Sequence, residues 1–230
     1  MIVLVITIAI LVGALLIFNN QNSDAVKFKK EYESLNDTIR EKDGKKIRNI
    51  TIPKNNPMVY KEAEEIVDMI NNKESFVVYF GFNDCPWCRS VIPTLIEVSK
   101  DEGLDKIYYV DVKDIRDEMI VNEEGKAVTS KKGTEGYYKL IKALDGVLNE
   151  YNLSKDKASI SANEKRIYAP NVVAVVNGKP EKLESGISEN QTDGYMKLTE
   201  EMKKETYEKF KCLIKCVTES SKSCSPKSGC

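Results

Sequence analysis

Phe76-Val77-Val78-Tyr79-Phe80-Gly81, followed by Asn83-Asp84-Cys85-Pro86-Trp87-Cys88-Arg89, is the stretch from which the rest of the chain can be ordered. The β-branched and aromatic run reads as a buried strand, and Gly81 ends it. Downstream, Val91, Leu95, Ile96 and Val98 recur at helical spacing, so Cys85 and Cys88 fall on the first turn of a helix. Cys85 is expected at the N-cap, with Pro86 at the first helical position, where its fixed φ helps and its missing N–H costs nothing. The Cys85 sulfur then faces the free N–H groups of the first turn, which favours thiolate. That makes Cys85 the attacking thiol of a redox dithiol and Cys88, one turn inward, the resolving one. A structural disulfide and half of a metal site are the plainer alternatives. Arg89 adds a cation nearby and Asp84 an anion, and Trp87, the only tryptophan, is expected to form an apolar lip for substrate.

Composition narrows the chemistry further. Thirty-five basic against thirty-six acidic residues leave a net charge of −1, and no basic stripe interleaved with aromatics is present, so nucleic acid is not an expected partner. There is no histidine, which removes Ser-His, Cys-His and His-metal mechanisms. Six cysteines are placed as two in the body and four near the end, which favours an oxidising compartment.

Upstream of the dithiol stretch, Ile2 to Phe18 is an uncharged apolar run rich in Ile, Leu and Val, long enough to cross a bilayer at the short limit. An uncleaved transmembrane anchor over residues 1–18 is favoured over a signal peptide, although Ser23-Asp24-Ala25 offers small residues for cleavage. Lys27, Lys29 and Lys30 follow it and by the positive-inside rule would sit in the cytoplasm; the cysteines argue for the opposite side. The extracytoplasmic placement is adopted, with a cytoplasmic-facing domain as the alternative. Residues 19–45 read as a polar stalk carrying a short amphipathic helix through Phe28, Tyr32 and Leu35. Ile47, Ile50 and Ile52 suggest a strand ended by Pro53, and Ala63, Ile66, Val67 and Ile70 a helix.

Beyond the dithiol helix, Ile107 to Val112 is another strand, so strand, helix, strand, helix, strand implies parallel pairing with helices on the sheet faces. Residues 113–165 are expected as a largely helical insertion, with Tyr137, Leu140, Ile141, Leu144, Leu148 and Tyr151 on one face. Pro170 opens a strand over Val172 to Val176, Asn177-Gly178 is a hairpin signal, and a short strand follows around Lys182 and Leu183. A last helix carries Met202, Tyr207, Phe210, Leu213, Ile214 and Val217 on one face, and residues 218–230 form a tail. Cys212 and Cys216 lie about 200° and 240° around that helix from Phe210 and are therefore expected to be exposed. Pairing with Cys224 and Cys230 as two structural disulfides is favoured over a four-thiolate metal site or a secondary redox relay. Three connectivities can be drawn for these four cysteines.

Several spacings together resemble the thioredoxin-like superfamily over about residues 46–217. Pro93 stands five residues after Cys88, where such helices carry a proline; Pro170 opens the next core strand; Gly178 stands eight residues beyond it and Gly186 eight further on. The resemblance implies a thioredoxin-like three-layer α/β sandwich with a central mixed sheet. It also implies a cis Ala169-Pro170 bond lying over Cys85, with Ala169 offering backbone groups to an extended substrate. Two features depart from the family. Its frequent buried acid, six residues before the first cysteine, is here Tyr79, and Pro-Trp replaces Gly-Pro between the cysteines. The long span from Cys85 to Pro170 is similar to the inserts of membrane-anchored bacterial members, including the bacteriocin-accessory type.

The expected activity is thiol-disulfide exchange on cysteine-containing exported proteins or peptides, with no bound cofactor or metal and with a redox partner protein. The direction is open between oxidase, reductase and isomerase. The alternative is a peptide-binding accessory or chaperone that keeps the cysteine pair as structure.

Overall fold

The computed structural model describes residues 24–155 and 158–219. The transmembrane expectation for residues 1–18 and the terminal Cys224 and Cys230 lie outside the described residues. Among the described residues, no helix is long and apolar enough to cross a membrane.

A five-stranded mixed sheet forms the centre. Its strands are β1 (Met58–Tyr60), β2 (Phe76–Gly81), β3 (Ile107–Asp111), β8 (Asn171–Val176) and β9 (Lys179–Glu184), in the spatial order β1-β3-β2-β8-β9. β1, β3 and β2 run parallel, joined by the crossover helices α2 (Ala63–Asn71) and α3 (Pro86–Asp101). β8 pairs antiparallel with β2 and with β9. Every residue of β2 and β8 is buried, as the apolar runs Phe76–Phe80 and Val172–Val176 require of strands covered on both faces. α2 packs with α4 (Glu135–Ala143), and α3 packs with α5 (Glu200–Thr218), so two helix pairs supply the two covers. The β8–β9 connection is the expected Asn-Gly turn, with φ of 51° at Asn177 and 74° at Gly178, the left-handed pair that a tight hairpin needs.

Three regions differ from the sequence expectation. Residues 19–45, expected as a stalk, contain a helix α1 (24–33) packed into the core: Phe28 and Tyr32 are fully buried and contact the ring of Tyr109. Only a few apolar residues mark this segment, but they are large and lie on one face.

Residues 47–52 are extended and place Ile47, Ile50 and Ile52 in the core, yet they join no sheet. Their backbone is satisfied by side chains of the preceding segment. Asn36 exchanges two hydrogen bonds with Ile50, and the Ile52 N–H donates to Glu33 Oε1 at 2.8 Å.

The insertion 113–165 is built mainly of two hairpins, β4 (Glu118–Val121) with β5 (Ala127–Lys131) and β6 (Glu150–Lys155) with β7 (Ala158–Lys165). The expected long helix stops at Ala143, leaving Leu148 on the connection and Tyr151 in β6. A buried ion pair between Arg166 and Asp117, 3.1 Å apart, ties the base of the second hairpin to the loop after β3.

Candidate functional site

Cys85 is the N-cap of α3, with extended backbone (φ −74°, ψ 117°), and Pro86 begins the helix. The Cys85 Sγ accepts from the backbone N–H of Cys88 at 3.3 Å, as a capping group does. Burial raises the Cys85 thiol, but it is outweighed by the Cys88 thiol, the N–H groups of Cys88 and Trp87, and the charge of Arg116. The net result is a pKa below the ordinary thiol value. Cys88 is fully buried. Burial first, and then the Cys85 sulfur beside it, hold its thiol well above the ordinary range. The two sulfurs are therefore chemically unequal in the sense expected from their order in the sequence.

The Ala169-Pro170 bond is cis, and the Cys85 Sγ lies 3.4 Å from the Ala169 carbonyl oxygen. Trp87, half-buried, borders two clefts that meet at Tyr168 and Ala169. One, of about 590 Å³, is lined by Cys85 together with Arg116, Tyr151 and Arg166; the other, of about 410 Å³, is lined by Pro170, Leu183 and Ile187. The insertion thus supplies a wall of the site, and the Arg166 guanidinium sits 4.3 Å over the Tyr151 ring. A loop from the other side closes the rim: a Cβ at Gly194 would stand 2.9 Å from Pro86 Cβ, so only glycine permits this approach. Cys85, Cys88, Trp87, Ala169 and Pro170 are brought together, the last two where the resemblance implied.

Arg89 and Asp84 do other work than the sequence suggested. Arg89 is 1% exposed and its guanidinium turns away from the sulfurs. It donates to the carbonyls of Arg48, Tyr32 and Asn83 and to Asn36 Oδ1. Asp84 pairs with Lys113 at 3.0 Å and Arg40 at 3.6 Å. The cation acting on Cys85 is Arg116, half-buried and packed 5.0 Å over the Phe82 ring. It lies in the loop after β3, where no spacing rule singles it out. Arg116→Gln is expected to raise the Cys85 titration midpoint, read from thiolate absorbance against pH. An unmoved midpoint would show that the helix terminus alone sets it.

Of the C-terminal cysteines, Cys216 is fully buried and disulfide-bonded, and Cys212 is half-buried, against the expected exposure of both. The buried arc of α5 runs from Met202 and Thr206 through Phe210 and Leu213 to Ile214. Its centre lies about 40° from Phe210, toward Cys216, so angles measured from Phe210 alone misplaced the face. Neither cysteine lines the clefts at Cys85. Among the described residues, no group of three or more His, Cys, Asp or Glu is arranged to hold a metal.

Comparison of the chain with family models, with curated proteins and with solved structures finds no match to any of them.

Proposed function

We propose that the chain is a thiol-disulfide oxidoreductase with a thioredoxin-like arrangement, acting through Cys85 and Cys88 on cysteine-containing peptides or exported proteins in extended conformation. The observation that carries this is the pairing of a helix-capping thiol of lowered pKa with a buried partner, set against the carbonyl of Ala169 before the cis proline. Cys85 attacks a substrate disulfide or is attacked by a substrate thiolate, and Cys88 completes the exchange. The two clefts meeting at Ala169 give an extended chain room on both sides of the reacting sulfur. We place this domain outside the cytoplasm behind a 1–18 anchor, on the apolar run and the cysteine content. Protection of a C-terminal tag from external protease in intact cells would reverse that placement.

The rival is a peptide-binding accessory protein without turnover. In its favour, Cys85 is only 3% exposed. Alkylation with iodoacetamide separates the two. The oxidoreductase predicts selective modification of Cys85 over Cys88 at neutral pH, with the rate inflecting below the ordinary thiol pKa of about 8.5. A Cys85 that reacts no faster than a model thiol, with no inflection below that value, supports the binding protein.

A further inference from the structure

Arg40, Lys45, Arg116 and Arg166 bring positive charge to the cleft at Cys85, and Asp43 and Asp193 bring negative charge. All of these cations but Arg116 are engaged. Arg40 pairs with Asp43 at 3.1 Å and with Asp84 at 3.6 Å, Lys45 with Asp193 at 3.4 Å, and Arg166 with the buried Asp117 at 3.1 Å. Arg116 makes no ion pair among the described residues. Carboxylates do stand in the adjoining groove of about 1090 Å³, which shares Arg40, Phe82, Arg116, Tyr151 and Arg166 with the cleft at Cys85. Other cations hold them: Lys113 takes Asp84 at 3.0 Å, Arg166 takes Asp117, and Lys131 takes Glu118 at 3.3 Å. The exposed Asp114, two residues before Arg116, forms no ion pair with it. Arg116 is nevertheless held in place. It is half-buried, and its guanidinium lies 5.0 Å over the ring of the buried Phe82, directly after β2. A guanidinium fixed on a ring and lacking an anion keeps its fork of N–H donors for whatever enters the clefts it lines.

We propose that Arg116 is the docking point for a substrate carboxylate, so that the preferred substrates are extended peptides with an acidic side chain flanking the reactive cysteine. The inference rests on the dithiol function proposed above and names its substrate class. Arg116 and Cys85 line one cleft, so a chain that places its sulfur on Cys85 brings its flanking residues to the guanidinium. A carboxylate there takes two parallel N–H···O bonds, a geometry that Lys45 cannot offer and that Arg40 and Arg166 already give to Asp43 and Asp117. The other flank of the site differs in kind. Pro170, Leu183 and Ile187 line the second cleft, so the chain is read as acidic toward Arg116 and apolar toward Pro170. Docking does not strip Cys85 of its own support, because the Cys85 Sγ keeps the Cys88 N–H of the helix cap at 3.3 Å. With the whole chain at a net charge of −1, no global field does this selection; one side chain at the site does.

The test is the reaction of the reduced full chain with peptides acetylated and amidated at their ends, so that side chains carry their only charges. Each peptide holds one cysteine as its 2-thiopyridyl disulfide, with Glu, Gln or Lys on both sides of it. The Cys85 thiolate attacks the peptide sulfur, the Cys85–peptide bond forms, and the more acidic thiol leaves with the electron pair as pyridine-2-thione, read by its absorbance. Each rate is taken above the Cys85→Ser background and divided by the rate of the same peptide with 2-mercaptoethanol, which removes the peptide's own reactivity. The Glu peptide is expected to react about 10-fold faster than the Gln peptide, the low end for a charge-assisted hydrogen bond, and the Lys peptide slowest. In Arg116→Gln that ratio should fall to about 1, and a changed Cys85 basicity, common to all three peptides, cancels in it. A parent ratio below about 3, or one that persists in Arg116→Gln, overturns the docking. If Arg116→Gln does not fold, Arg116→Glu decides: a preference turned to the Lys peptide supports the docking, and a retained Glu preference overturns it. A parent chain that releases no thione above the Cys85→Ser background fails at the dithiol itself, which is distinct from one that reacts with all three peptides at equal rates.

Discussion

Arg89→Met is expected to destabilise the fold by about 4 kcal/mol or more, seen as a lowered urea midpoint at unchanged slope. The side chain is 1% exposed, and its hydrogen bonds run to Arg48 O at 2.7 Å, Tyr32 O at 2.8 Å, Asn83 O at 3.0 Å and Asn36 Oδ1 at 2.8 Å. A hydrogen bond from a charged donor contributes about 1.5–3 kcal/mol, and methionine fills the volume while removing the donor from three carbonyls and from Asn36 Oδ1, which keeps the Ile50 N–H. Against a whole-domain stability of about 5–15 kcal/mol, that is a large share. Lysine is not expected to rescue it, because one ammonium cannot donate along four divergent directions that a planar guanidinium spans. A loss below about 1.5 kcal/mol would mean that water takes over the orphaned carbonyls, which a site this enclosed does not favour.

Cys88→Ser should convert turnover into covalent capture. Cys85 keeps its helix cap and Arg116, so attack on a disulfide proceeds, but no thiol stands behind it to expel the substrate. Intact mass under non-reducing conditions is expected to show an adduct one substrate chain heavier at near-stoichiometric yield, reversed by dithiothreitol, with multiple turnover reduced to background. The adduct should be absent from Cys85→Ser. The opposite pattern, capture by Cys85→Ser and none by Cys88→Ser, would exchange the roles of the two sulfurs and sink the mechanism drawn from their unequal pKa values.

The parts of this molecule legible in the sequence are those in which one local rule decides the outcome. Phe76–Gly81 has no polar interruption, Cys85-Pro86 carries a cap and a first-turn proline, and Asn177-Gly178 can form only a tight turn cheaply. The two hairpins of the insertion were not legible because two-stranded ribbons on a surface bury little; β5 is exposed at nearly every position and leaves no apolar alternation to count. Residues 47–52 carry a strand's composition, but Asn36 and Glu33 claim their backbone groups, a competition between distant segments that periodicity does not express. Tyr79 was visible as an aromatic in a core strand. That its hydroxyl finds a partner in the Tyr32 hydroxyl, beside Gly81, follows only once α1 is placed against β2.

Arg89 also has a mechanical meaning. Its guanidinium grips Tyr32 and Asn36 at the end of α1 and just beyond, while its own backbone lies one residue after Cys88 in the helix that carries both sulfurs. Tension applied at the start of α1 therefore meets the sheet first, where the Asp24 carboxylate accepts the Tyr60 N–H of β1 at 3.1 Å, and then reaches the first turn of α3 through two hydrogen bonds of 2.8 Å. A pulling experiment from residue 24 should register the Asp24–Tyr60 contact as the first yield point and release of the Arg89 grip as a later one, which Arg89→Met removes.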